Sequence, residues 1–204
     1  MSTSMKPRSM RSSRAPGVRP ARWPRAIGLI GLVLLALLRA TPAQAQVAAL
    51  PELIAAAAHH AGLDPDLLSS IVWVESRAWP WALNIDGVGL YPRTRAEAEW
   101  VLGRVGDDVD IGYAQVSYRH WGRALGLRKA DLLEPWTNLV VGALILRQSM
   151  DLEAGWGGVG RYHSATSHRK LSYAYRVAET LSMIEASRHL TALGPVFHAA
   201  SAGR

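Results

Sequence analysis

DPDLLSSIVWVESR, residues 64–77, is the stretch whose reading decides the fold class. Asp64 is a good helix N-cap, and Pro65 suits the first helical position, where its missing amide donor costs nothing. Leu68, Ile71, Val72 and Glu75 fall at i, i+3, i+4 and i+7, so a carboxylate shares one stripe with three aliphatic side chains. Burial disfavours the charged form of such a group, raises its pKa and suits it to general acid work near neutral pH. The same pattern also fits an acid at a helix end, half exposed or paired with an arginine, because structural carboxylates outnumber catalytic ones.

Upstream of this helix the chain reads as a targeting segment. Lys6 and six arginines from Arg8 to Arg25 precede an uncharged apolar run, residues 26–38, and Ala43-Gln44-Ala45 supplies a small-residue cleavage pattern. This is the form of a secretory signal peptide, residues 1–45, and the apolar run is short for a membrane span. The expected product starts at Gln46 and is exported to the periplasm.

Removing the signal changes the electrostatics. The whole chain carries a net +7, and residues 1–45 hold eight Lys and Arg with no acids, so the remainder is left at −1. The basic character belongs to the signal, and a nucleic-acid partner loses its main support. No cysteine is present, so an exported domain must be held by its core alone.

Residues 50–61 form a short first helix, opened by Pro51 and Glu52 and followed by Gly62. His59 and His60 are adjacent, point apart on a helix and lack a third ligand, so neither metal nor cofactor is expected. Residues 78–93, with two Trp, two Pro and two Gly, read as an irregular loop. Thr94-Arg95-Ala96-Glu97 has capping-box form and predicts a helix to about Val105, followed by a charged turn over residues 106–110. Residues 111–116 read as a strand or a buried turn. Residues 121–127 suggest a helical turn, and Pro135 opens the longest helix, to about Leu152, burying Leu139, Gly142, Ala143, Leu146 and Met150. GWGGVG, residues 155–160, satisfies the dinucleotide fingerprint literally, but it follows a helix and lacks the strand that the fingerprint needs. A last helix spans about residues 171–190, and residues 191–204 read as a flexible tail.

The order of four blocks resembles the catalytic domain of Slt-type lytic transglycosylases. Glu75-Ser76, followed by Pro80, Ala82 and Asn84, resembles the family's Glu-Ser segment. Gly112-Tyr113-Ala114-Gln115-Val116 resembles its Gly-Leu-Met-Gln-Ile block. Asn138-Leu139 with Gly142-Ala143 and Leu146 resembles a third, and Tyr162-His163-Ser164-Ala165 resembles its Tyr-Asn-Ala-Gly block. The long segment between Ser76 and Gly112 and the Tyr-His-Ser ending look closest to small members that accompany conjugation and secretion machines. His163, in place of the usual Asn, and Ser117 depart from the common pattern.

The resemblance implies a mainly α, lysozyme-like domain over residues 46–190, with at most a small β element. It implies cleavage of the β-1,4 bond between N-acetylmuramic acid and N-acetylglucosamine by a monomer acting on peptidoglycan strands, with components of a conjugation or secretion machine as further partners. Glu75 would act alone as acid and then base, closing a 1,6-anhydro ring. Ser76, Gln115 and Tyr162 would support it, and Gly112, Tyr113, Asn138, His163, Trp79, Trp81 and Trp121 would meet the glycan. Two other readings stand beside it. One is a lysozyme-type hydrolase with Asp110 or Asp86 as a second carboxylate, although Asp110 is read first as a turn residue. The other is a peptidoglycan-binding assembly factor that does not cut.

Overall fold

The computed structural model describes residues 49–201, with side chains to residue 191. The expected signal segment therefore lies outside the described residues. The chain is mainly helical with a small antiparallel sheet, as expected. Its helices are α1 (Leu50–His60), α2 (Pro65–Ser76), α3 (Arg95–Leu102), α4 (Pro135–Leu152), α5 (Trp156–His163) and α6 (Ser167–Ser201).

The opening helices form for the reasons their sequences give. The Asp64 side chain accepts the Asp66 amide at 2.7 Å and starts α2. Leu68, Ile71 and Val72 are fully buried, so the apolar stripe faces the core. The helix stops abruptly because Arg77 (φ 54°) and Ala78 (φ 59°) are both left-handed, an uncommon conformation for residues with a Cβ. That stop leaves Glu75 in the last turn. Arg188 of α6 pairs with Asp66 in the first turn of α2, tying the two helices together.

Residues 78–93 are not simply an irregular loop. They contain the hairpin β1 (Leu83–Ile85) and β2 (Val88–Leu90), joined by Asp86-Gly87 with φ of 51° and 86°. Two successive positive φ values make a turn whose twist matches that of the strands, and the Asp-Gly pair between alternating aliphatics was its signal. β3 (Val109–Ile111) and β4 (Val116–Ser117) complete a sheet of order β2-β1-β3-β4. The expected turn at residues 106–110 therefore ends in a strand, and residues 111–116 are strand, turn and strand in succession.

Thr94 caps α3 as expected, accepting the Glu97 amide at 3.1 Å, while Glu97 reaches back to the Arg93 amide at 2.7 Å. The helix ends at Leu102, short of Val105. A π-helical turn (Tyr118–Gly122) and a 3-10 turn (Lys129–Leu133) lead into α4. Within GWGGVG, Gly155 (φ 62°) precedes the helix and residues 156–160 form most of α5. A Cβ on Gly158 would lie 2.6 Å from the Met150 Cα, and one on Gly160 would lie 2.8 Å from the Lys170 Cγ, so these glycines let α4, α5 and α6 approach closely. The backbone of α6 continues to Ser201, past the expected end near Leu190.

The core has two parts that share α4. Leu139, Val140, Ala143 and Leu146 pack against α1, α2 and α6, whereas Val141 and Ile145 pack against the sheet and α3. A helix apolar on both sides belongs in the interior, and here it forms the wall between the helical part and the sheet. The candidate site opens at that junction.

Candidate active site

The β3–β4 turn is the centre of the site, and it is held by side chains from three helices. Its successive carbonyls each accept a hydrogen bond from a side chain. Ile111 O accepts from Asn138 Nδ2 at 2.7 Å, Gly112 O from Gln115 Nε2 at 2.9 Å, Tyr113 O from the Ser76 hydroxyl at 2.8 Å and Ala114 O from the Tyr162 hydroxyl at 2.6 Å. Asn138 Oδ1 also accepts the Ala114 amide at 2.8 Å. Polar backbone can be buried here only because each group finds a partner.

Two glycines make this packing possible. Gly112 has φ of 80°, and a Cβ there would run into the Asn138 side chain. A Cβ on Gly142 would collide with Ala114, so the glycine in α4 is the seat of the turn. The turn in turn holds Gln115 at φ 45°, and its Nε2 also donates to Ala82 O at 3.0 Å. With the amide nitrogen committed to backbone, Gln115 presents its carbonyl oxygen as the remaining polar atom.

A cavity of about 280 Å³ lies beside the turn. Glu75 from α2, Asp110 from β3, Gln115 and Ser117 from the turn region, Trp121, and Tyr162 and His163 from α5 all line it. Asn84, Gly87, Gly89 and Tyr91 of the hairpin segment form the opposite wall. Burial pushes the Glu75 carboxyl up to about 7, the Tyr173 hydroxyl pulls it down, Asp110 raises it further and Arg176 lowers it. Asp110 is likewise raised by burial, against the influence of Ser117, and accepts from Asn84 Nδ2 at 3.4 Å. Tyr162 and Tyr173 are held well above the usual phenol range by burial and by the Glu75 charge, so both remain protonated donors.

Tyr173, on α6, was not among the residues singled out from sequence. Its ring is stacked on His163 at 4.8 Å and lies 6.3 Å from Tyr162. Its hydroxyl is buried and makes no hydrogen bond of good geometry in this conformation, yet it is the strongest influence favouring ionised Glu75. The signal for it was present: Tyr173, Ala174, Val177 and Thr180 form a buried stripe on α6, and a phenol in such a stripe needs a partner. Burial lowers the His163 pKa and favours its neutral ring.

The structure separates the expected site residues into two groups. Glu75, Gln115, Tyr162, His163 and Trp121 line the cavity together, whereas Ser76, Gly112, Tyr113 and Asn138 stand behind it and build the turn. Asn138 and Ser76 are both 1% exposed, so the expected glycan contact at Asn138 is corrected to a hold on the turn backbone. Trp79 and Trp81 do not line the cavity. They pack edge to face at 6.3 Å, and Trp79 Nε1 donates to Pro92 O at 2.8 Å, bracing the hairpin segment. Asp110, read from sequence as a turn residue, is a strand residue on the cavity wall, while Asp86 sits in the hairpin turn. Asn84, Tyr91 and Ser117 complete the lining.

Among the described residues no group of three or more His, Asp or Glu side chains could hold a metal ion. No described helix is long and apolar enough to cross a membrane. The family model described as "Transglycosylase SLT domain" matches residues 52–179, which is most of the described chain. The protein belongs to this family, the Slt-type lytic transglycosylases with a lysozyme-like fold, whose members act on peptidoglycan. No match was found among curated proteins or solved structures.

Proposed function

We propose that the protein is a peptidoglycan lytic transglycosylase in which Glu75 carries out both proton transfers. The supporting observation is a lone glutamate at the end of α2, on the wall of a cavity, with its carboxyl pushed up to about 7 by burial. Such a group is protonated often enough near neutral pH to act as an acid, and its conjugate base is strong enough to take the proton back. Protonated Glu75 donates to the glycosidic oxygen, the bond from muramoyl C1 to that oxygen breaks, and N-acetylglucosamine departs with its hydroxyl restored. The Glu75 carboxylate then accepts the C6 hydroxyl proton as the C6 oxygen bonds to C1. Glu75 ends protonated, no water is consumed, and the product is a 1,6-anhydromuramoyl end.

Tyr162 and Tyr173 keep their protons throughout; Tyr162 commits its own to Ala114 O, and the Tyr173 hydroxyl is the donor that favours the Glu75 carboxylate. Gln115 and His163 offer polar atoms to the sugar, and Trp121 an aromatic face. The mass of muropeptides released from purified sacculi tests this reading. Anhydro products, one water lighter than hydrolytic ones, are expected, and reducing-end products would overturn the mechanism.

A hydrolytic second reading is favoured by one observation. Asp110 lines the same cavity as Glu75 and is also raised by burial, so a second carboxylate is available to activate water as in two-carboxylate glycosidases. The sequence further supports export through the residue 1–45 signal and action in the periplasm, and the long segment before Gly112 supports service to a conjugation or secretion machine.

A further inference from the structure

Beside the cavity lies a second groove, of about 580 Å³, between the end of β2 and α3. Leu90, Tyr91, Pro92, Trp100 and Val101 line it, and its acid, Glu97, has a carboxylate oxygen engaged by the Arg93 amide at 2.7 Å. Tyr91 and Trp100 are 59% and 60% exposed, which is unusual for two large aromatics facing one groove. Tyr91 is also part of the wall of the Glu75 cavity, so the two spaces adjoin at this residue.

The Tyr91 ring folds back on the hairpin, at van der Waals distance (3.6 Å) from where a Gly89 Cβ would lie. The Arg104 guanidinium sits 3.8 Å from the centre of the Trp100 ring, and Arg104 Nη1 donates to Trp100 O at 2.8 Å. One face of the indole is thus covered by a cation and fixed, which reduces the entropy lost when a ligand meets the ring elsewhere.

We infer that this groove is an additional glycan subsite, in which Tyr91 and Trp100 take an N-acetylhexosamine of the same strand that occupies the Glu75 cavity. The inference rests on the glycan-cleaving reading above. A polymer running through the cavity past Tyr91 meets the groove next, and the lining suits it chemically. Sugar rings have apolar C–H faces that stack on aromatic rings, and their N-acetyl methyl groups fit aliphatic walls such as Leu90 and Val101. The Trp100 indole N–H and the Tyr91 hydroxyl supply donors at the edges. The one charged side chain lining the groove is the acid Glu97, and the nearby Arg104 guanidinium is engaged with Trp100, so an uncharged sugar fits it better than a carboxylate-bearing stem peptide. The hairpin and α3 that build it belong to the long segment between Ser76 and Gly112.

The test uses N-acetylglucosamine oligomers of two to six sugars, titrated calorimetrically into the Glu75→Gln protein. Trp100→Ala and Tyr91→Ala in that background should weaken binding of the longest oligomers on the order of three- to tenfold. Binding of the shortest should be unchanged by Trp100→Ala, and Trp100→Phe should recover part of the loss. Equal loss at every length, or no loss at any length, would overturn this inference while leaving the glycan reading in place. Failure of the parent Glu75→Gln protein to bind any oligomer or intact sacculi would overturn the glycan reading itself, and this inference with it.

Discussion

The Ser76 hydroxyl donates to the Tyr113 carbonyl at 2.8 Å, joining residues 37 positions apart in sequence. Through this bond the last turn of α2, which carries Glu75, is fixed to the turn that carries Gln115. The same hydroxyl lies 3.1 Å from Val72 O in its own helix, so one side chain sets both the helix end and its neighbour. Ser76 thereby ties the helix end that carries Glu75 to the turn, a link that runs through the backbone.

Turnover should depend on Glu75 and much less on Asp110. Glu75→Gln keeps the shape and removes the proton, and is expected to lower turnover of sacculi by at least about 10²–10⁴. Asp110→Asn should keep most activity if Glu75 acts alone. Its loss, with circular dichroism unchanged, would move the chemistry to the two-carboxylate class.

The raised Glu75 pKa also has a consequence for stability. Between the unfolded value of 4.5 and the folded value of about 7, the folded protein holds a proton that the unfolded chain releases. Stability contributed by neutral Glu75 is therefore full below pH 4.5 and falls as pH rises to 7. Glu75→Gln should be more stable than the parent at pH 8, by roughly 3 kcal/mol, with the difference narrowing toward pH 4. Urea unfolding at both pH values measures it, and a pH-independent difference would contradict the burial of this acid.

Tyr173 tunes the same group in the opposite direction. Because its hydroxyl favours ionised Glu75, Tyr173→Phe should raise the Glu75 pKa further. Activity that requires the protonated acid falls as pH climbs past about 7, and in the variant that falling limb should move to higher pH. A limb that stays in place, with activity merely scaled down, would make Tyr173 a packing residue only.

Asn138 is expected to matter for folding more than for binding. Asn138→Ala strips partners from Ile111 O, Leu132 O and the Ala114 amide in a buried setting. The expected cost is about 3 kcal/mol, read from the urea midpoint. Gly142→Ala, which drives a methyl group into Ala114, should cost about 1–3 kcal/mol at the same turn. A variant of Asn138 that kept full stability but lost oligomer affinity would return this residue to the cleft.

Export is tested separately. The periplasmic protein should begin at Gln46 or within a residue or two, by N-terminal sequencing, and a full-length membrane-embedded product would contradict the signal reading.

Local physics made much of the chain legible. Asp64, Pro65 and the Leu68, Ile71, Val72 stripe set the start and buried face of α2, Thr94 and Glu97 set the start of α3, and Pro135 that of α4. Each depends on contacts within one or two turns, which a linear sequence contains. The hairpin at Asp86-Gly87 was also encoded locally, but two Trp and two Pro around it obscured the short alternation. What the linear sequence did not contain is the meeting of Ser76, Asn138 and Tyr162 on one turn, because each acts on backbone 24 to 48 positions away. Their residue types could be read as either sugar contacts or core hydrogen bonds, and only the tertiary structure assigned them to the Ile111–Ala114 carbonyls. Tyr173 and Tyr91 became part of the site in the same way. The sequence by itself determined that a carboxyl group follows the apolar stripe of α2 at Glu75, and its surroundings were decided by which distant donors the fold brings to a buried backbone that must be satisfied.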